Sequence, residues 1–227
     1  MTDPAQPEQQ LPSPRRASRW RRFRWGLYLL AGALVVGGSL FGLWAYQRWT
    51  LCNFHVVVGG QVYRSAQPGP ERLRKWVREY GLRTVVNLRS DTFRPVVAEE
   101  GALVKQLGLR YESVRLTKHR LPTRAVLRRL IQTIETGETP MLLHCKAGAD
   151  RAGIASVVAA MAIGEESYAS ARKHLSVRYL HFDPFPDHVG GCLRRYEDYC
   201  RRQGLGTGGW QQFRHWALHV YDPDPPG

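Results

Sequence analysis

Acidic residues are scarce in this 227-residue chain: 19 Asp and Glu stand against 33 Lys and Arg, a formal net charge of +14 at pH 7. That deficit argues for an acidic partner, which could be a phosphate ester, a nucleic acid or an anionic membrane surface. The usual nucleic-acid vocabulary is missing too. No zinc-ligand spacing, helix-turn-helix signal or aromatic-basic RNA motif occurs, so nucleic acid would rest on charge alone and is not expected as a partner. Cysteine is sparse, with Cys52, Cys145, Cys192 and Cys200 only. Charge of either sign is absent from Trp25 to Gln47, a run of 23 residues.

That run reads as a transmembrane helix, because about 20 apolar residues span a bilayer core of roughly 30 Å. Trp25, Tyr28, Trp44, Tyr46 and Trp49 sit near its ends, where interfacial aromatics are found. A cleaved signal peptide is the competing reading. Its apolar region would run about 7 to 15 residues before a small-x-small cleavage site, and neither feature fits. Six arginines precede the helix and only Arg48 follows closely. The positive-inside rule then puts the N-terminus in the cytoplasm and the rest of the chain outside, in the periplasm of a two-membrane bacterium. The expected organisation is a disordered basic tail over 1–24, an anchor over 25–47, a linker over 48–54, one globular domain over 55–203, and an extension over 204–227. Residues 49–227 still carry +9.

Within the globular part, Phe54 to Val58 and Val62-Tyr63 read as short strands around Gly59-Gly60, followed by a helix over 71–80 that Gly81 stops. A β-branched strand covers 83–88, a helix 96–107 ends at Gly108, and another strand covers 110–116. Pro122 suits the first turn of a helix reaching about residue 135, with Leu127, Leu130, Ile131 and Ile134 as its buried stripe. Pro140 starts a strand that ends at Cys145, and 154–163 is the helix after it. Residues 165–203 look helical with an interruption at 183–187. The spacing of Trp210, Phe213, Ala217 and Val220 suits a last helix, docked on the core or lying on a membrane, with core docking the safer choice. Strands alternating with helices predict an α/β fold: a mainly parallel sheet, helices on both faces, and the ligand beyond the strands' carboxyl ends.

The segment from His144 to Gly153 carries the chemistry. It joins the strand ending in Met141-Leu142-Leu143 to a helix, so its backbone N–H groups and the helix dipole offer a cradle to a phosphate dianion. Cys145 lies at the mouth of that cradle, where a helix N-terminus and a guanidinium favour the nucleophilic thiolate. Arg151, six residues on, presents a fork that can bind two phosphoryl oxygens at once. Gly148 lets the backbone turn inward, and Lys146, Ala147, Gly148, Ala149, Asp150 and Arg151 form the expected phosphate-binding loop. A buried structural cysteine beside an incidental arginine is the plainer alternative, which the joint spacing of His, Cys, Gly and Arg disfavours.

Cysteine, five residues, then arginine resembles the loop of the cysteine-dependent protein tyrosine and dual-specificity phosphatases. The His144-Cys145-Lys146-Ala147-Gly148 start is similar to the tensin-like branch. Val62-Tyr63-Arg64-Ser65-Ala66-Gln67-Pro68 and Val85-Val86-Asn87-Leu88-Arg89 resemble bacterial members, so the likeness runs over about 55–200. The resemblance implies a phosphatase fold and two-step displacement through a cysteinyl-phosphate, without metal or other cofactor. Two departures stand out. Many relatives carry an acid Asp some thirty residues before the nucleophile, but Leu116 to Pro122 has no carboxylate. Asp150 is the replacement acid expected from loops of the myotubularin-like type; its alternative is a salt bridge with a neighbouring arginine. His119 and Asp91 follow as further acids, with a solvated loop histidine and a strand-end cap as their alternatives. Ala152 stands where the family has Ser or Thr, which puts phosphoenzyme breakdown in question.

Lys146 resembles the lysine that favours charged lipid headgroups, and Lys146 and Arg64 either add positive charge to the pocket or are solvated surface charges. His144 is expected to order the loop. The implied substrate is an envelope lipid or glycolipid phosphate, or a phosphorylated protein. A catalytically weak phospho-ligand-binding module is the alternative, and sulfur transfer or arsenate reduction a fainter one. A Cys192–Cys200 disulfide is geometrically open, as are free thiols.

Overall fold

The structure is a computed structural model that describes residues 14–46, 51–182 and 188–223, with side chains from Trp20 onward. It divides into two compact units, 1–46 and 47–227. In the first, helix α1 runs Pro14–Ala45, and its stretch Trp20–Ala45 is long and apolar enough to cross a membrane. The expected interruption at 183–187 and the tail before residue 14 lie outside the described residues.

The second unit is built on five strands: β1 (His55–Val58), β2 (Val62–Ala66), β3 (Thr84–Arg89), β4 (Arg110–Leu116) and β5 (Met141–Cys145). They form one sheet in the order β1-β2-β5-β3-β4, with β1 antiparallel to β2 and every other pair parallel. Helix α2 (Pro70–Tyr80) leads from β2 to β3, α3 (Pro95–Gln106) from β3 to β4, and α4 (Arg124–Thr136) from β4 back to β5 in the middle. The crossovers travel in opposite directions across the sheet, so right-handed connections put them on opposite faces. Leu73, Trp76, Leu103 and Val104 of α2 and α3 pack with Tyr63, Val85 and Leu142. Leu127, Leu130, Ile131 and Ile134 of α4 pack with Val62, Val86 and Leu143 on the other side. Alternation along the strands thus feeds two cores, and the carboxyl end of β5 opens at the switch point where ligands bind in such sheets.

Helix α5 (Asp150–Ala162) follows β5 at once and is buried along almost its whole length. Short helix α6 (Tyr168–Ala171), two 3₁₀ turns (Arg172–His174 and Val177–Tyr179) and α7 (Gly191–Arg202) complete that face. Helix α8 (Trp210–His215), continued by a π-turn over Trp216–Val220, docks on the core. Phe213 is fully buried, with the rings of Tyr196 at 5.0 Å and Trp216 at 5.7 Å.

Two expectations need correction. The tail expected to be disordered over 1–24 is helical from Pro14, where arginine and alanine, both good helix formers, extend the apolar span as α1. Pro122 is outside its helix: α4 begins at Arg124, where Thr123 caps it by accepting a hydrogen bond from the Val126 N–H at 3.3 Å. The Pro122 carbonyl is engaged instead by the Tyr221 hydroxyl at 2.8 Å, which ties the C-terminal segment to this corner. Of the two alternatives left open for the cysteines, the structure has free thiols at all four. Cys192 is fully buried, and that desolvation pushes its thiol up to about 12. Because Phe213 fills a closed aromatic cluster, Phe213→Ala is expected to destabilise the domain by about 3–5 kcal/mol in denaturant unfolding.

Candidate active site

β2 lies beside β5 with Ala66 in register with Cys145, so the loop after Cys145 must fold back over the end of β2. Gly148 makes that contact possible. Its φ is +70°, and a Cβ there would stand 2.5 Å from the Ala66 nitrogen and 2.6 Å from the Ser65 carbonyl carbon. Three successive loop carbonyls are then turned away from the loop's hollow. Ala147 O accepts from Asn53 Nδ2 at 3.1 Å, and Gly148 O and Ala149 O accept from Arg64 Nη2 at 2.7 and 3.0 Å. A trans peptide places N–H opposite C=O, so the N–H groups of Gly148, Ala149 and Asp150 face the hollow, a nest suited to an anion. Cys145 lies buried at the hollow's start and Arg151 buried at its end.

Arg64 therefore lies behind the loop. Strand alternation sends its side chain to the α5 side of β2, where it is fully buried. It donates to His174 O at 2.5 Å, and its guanidinium carbon lies 4.4 Å from the Tyr179 ring centre. Burial lowers its pKa to about 10, while Cys145, Tyr179 and Asp150 pull the other way.

Asp150 is half-buried between two loops. Its Oδ1 is 2.7 Å from His181 Nδ1, and its Oδ2 is 3.4 Å from Lys118 Nζ. Burial pushes its carboxyl up, but the His181 hydrogen bond and the Lys118 charge outweigh this and hold it below the ordinary carboxylate range. The salt bridge foreseen with an arginine is made with a lysine and a histidine. The β4–α4 loop, which has no carboxylate, thus supplies a cation to Asp150. His119 turns elsewhere, exposed, with its ring edge-on to His188 at 5.3 Å.

Asp91 is gripped by Arg89, Nε to Oδ1 at 2.8 Å and Nη2 to Oδ2 at 2.5 Å, with Arg94 at 3.4 Å. The Arg89 hydrogen bonds bring its carboxyl down to about 2, against the opposing effect of burial, and the Arg151 charge adds to this. Arg89 also donates to Gln67 Oε1 at 3.0 Å, and Gln67 Nε2 donates to Glu100 Oε1 at 2.6 Å. Buried Glu100 further accepts from Asn87 at 2.8 Å and Tyr111 at 3.3 Å, and it faces His144 Nε2 at 3.1 Å. His144 is fully buried on β5 directly before Cys145. Lys146 is exposed at the rim.

This places Cys145, the amide nest, Asp150 and Arg151 together, and leaves His119 apart. Asn53, Gln67, Glu100, Lys118 and His181 were not expected at the site. Gln67 lies within a family-like motif; the other four have no local pattern and are brought in by loop packing. Among the described residues, no His, Cys, Asp or Glu cluster is arranged to hold a metal ion.

A family model described as a DSP-PTPase phosphatase fused to NAD+ kinase matches residues 55–181, more than half of the chain. The chain belongs to this phosphatase family. Its loop and sheet place it in the cysteine-dependent tyrosine and dual-specificity phosphatase superfamily. The solved structure of PTPMT1 in complex with PI(5)P is 17% identical and covers 67% of this chain and 99% of its own, with a TM-score of 0.50. The core catalytic domain of the PP-IP phosphatase SIW14 from S. cerevisiae is 17% identical over 67% of this chain and 93% of its own, with a TM-score of 0.49. TpbA of P. aeruginosa is 20% identical over 63% and 86%, with a TM-score of 0.49. A search of the curated proteins returned no match.

In this phosphatase loop, Gly148→Ala meets both a steric clash and left-handed backbone strain, so binding of inorganic phosphate is expected to weaken at least about tenfold by calorimetry, a cost near 1.4 kcal/mol. The circular dichroism spectrum should not change.

Proposed function

We propose that the chain hydrolyses phosphate monoesters through a cysteinyl-phosphate on Cys145. The observation that carries this reading is the outward turn of the Ala147, Gly148 and Ala149 carbonyls, which leaves an amide nest between Cys145 and Arg151. The Cys145 thiolate attacks phosphorus, the P–O ester bond breaks, and the departing oxygen takes a proton from Asp150. Water then attacks phosphorus, the P–S bond breaks, and the Asp150 carboxylate receives the water's proton. The nest and the Arg151 fork stabilise charge on the equatorial oxygens in both steps. Asp150 is held ionised in the free enzyme, but a dianion in the adjoining nest adds negative charge beside it and favours its protonated form.

The phosphatase is anchored by the apolar span over 25–47, with residues 48–54 as the linker and the catalytic domain following. The arginines before Trp25 favour a cytoplasmic N-terminus and an extracytoplasmic site. The net +9 of residues 49–227 and exposed Lys146 favour a lipid or glycolipid phosphate, and the PI(5)P named with PTPMT1 agrees with that class. Phosphotyrosine is the comparable protein substrate. Two observations favour a second reading, a phospho-ligand-binding module: Ala152 offers no hydroxyl, and the Asp150 carboxyl is pulled below its usual range.

Acid-quench trapping with a radiolabelled phosphate ester separates the two. Phosphatase chemistry labels the wild type and leaves Cys145→Ser and Cys145→Ala unlabelled; a binding module labels none. If Asp150 is the acid, Asp150→Asn is expected to lower kcat by about 10²–10⁴-fold on alkyl phosphates, and far less on p-nitrophenyl phosphate, whose leaving group needs no proton.

A further inference from the structure

The acid and its restraint are held on different parts of the molecule. Asp150 belongs to the loop; Lys118 comes from the segment between β4 and α4, and His181 follows the second 3₁₀ turn. His181 is buried against Asp150, whereas Lys118 is half-exposed at the mouth. Among the described residues, Arg64 also acts on Asp150 from behind the loop, and Arg151 is its neighbour in the chain. Arg64 is committed to the carbonyls of Gly148, Ala149 and His174, and Arg151 is the residue placed on the substrate phosphate. Lys118 is thus the one cation among them that a ligand can reach without dismantling the loop. An exposed lysine–carboxylate pair is also weak enough to exchange partners.

We infer that the site is built for a phosphate monoester carrying a second anionic group on a neighbouring atom, and that this second anion takes Lys118 from Asp150 and so frees the acid to transfer its proton. The first phosphate is satisfied by the nest and Arg151, so only an anion outside the loop competes for the lysine. Losing the ammonium removes an influence that keeps Asp150 ionised, and a solvent proton then loads the carboxyl. A monoester without the second anion binds in the same nest and favours protonation of Asp150 by its own charge, but it leaves Lys118 on the carboxylate, so less of the acid is loaded. This inference rests on the phosphatase reading and on Asp150 as its acid. The second anion fits a free polyol phosphate and a lipid headgroup alike.

The test uses the full chain in detergent micelles. Inositol monophosphate is compared with an inositol bisphosphate whose phosphates are vicinal, and with the same bisphosphate headgroup on diacylglycerol. In the wild type, kcat for a vicinal bisphosphate should exceed that for the monophosphate about two- to fivefold, the range an exposed ion pair can supply. Lys118→Met should raise kcat on the monophosphate and erase the preference; Lys118→Arg should restore it. Preference for both bisphosphate forms assigns the free headgroup as sufficient, and preference for the diacylated form alone assigns a lipid; either supports the inference. Equal kcat on all three substrates, unchanged in Lys118→Met, overturns it while leaving the phosphatase standing. If Cys145 is never labelled and no substrate releases phosphate, it is the phosphatase reading that falls, and this inference with it.

Discussion

A phosphate nest requires amide N–H groups that point inward, and they do so only if the carbonyls preceding them point outward and find donors. Arg64 supplies most of that requirement. Its guanidinium, sealed between β2, α5 and the turn at His174, bonds the Gly148 and Ala149 carbonyls, and Asn53 bonds the one before. Burying a guanidinium is costly unless dipoles and charges offset it. Here carbonyls and the Tyr179 ring face it, and Cys145 and Asp150 are among the groups that favour its charge. One residue thereby sets the loop's shape and places positive charge behind the turn that follows Cys145.

A second layer supports the first from the α3 side. Glu100 takes donors from Gln67, Asn87 and Tyr111 and faces His144, which ties the ends of β2, β3, β4 and β5 to one carboxylate. A buried carboxylate is tolerable only with such a full set of partners, and here they keep it below its usual pKa despite burial. Gln67 passes the connection on to Arg89 and Asp91. The two acids at the mouth then differ in kind. Asp91 is locked by two hydrogen bonds from a buried arginine, which favour its ionised form. Asp150 is held by a buried histidine and a half-exposed lysine.

Much of the fold was legible because it depends on local pattern. The apolar stripe of α4 reports burial directly, the Gly81 and Gly108 stops report helix ends, and the strand at 110–116 was placed to the residue. Pro122 misled because a proline suits a first helical turn and a pre-helix corner equally, and the Thr123 cap decided between them. The buried aromatic face of α8 was readable from its spacing. Whether it met the core or a membrane was a tertiary question, answered by Tyr196 and Trp216.

The site divides in the same way. By itself the sequence determined the loop after β5: Cys145, Gly148, Asp150 and Arg151 lie within one turn joining strand to helix, and their spacing alone keeps them together. It also determined the uncharged span of α1 and the absence of an acid between Leu116 and Pro122. Only the tertiary structure decided that Arg64 works behind the loop, that Lys118 and His181 converge on Asp150, and that Glu100 lies under His144. Those contacts join residues about 30 to 110 positions apart. No local periodicity encodes them, because what selects each partner is the need to satisfy a buried charge or carbonyl once the sheet has brought its strand ends together.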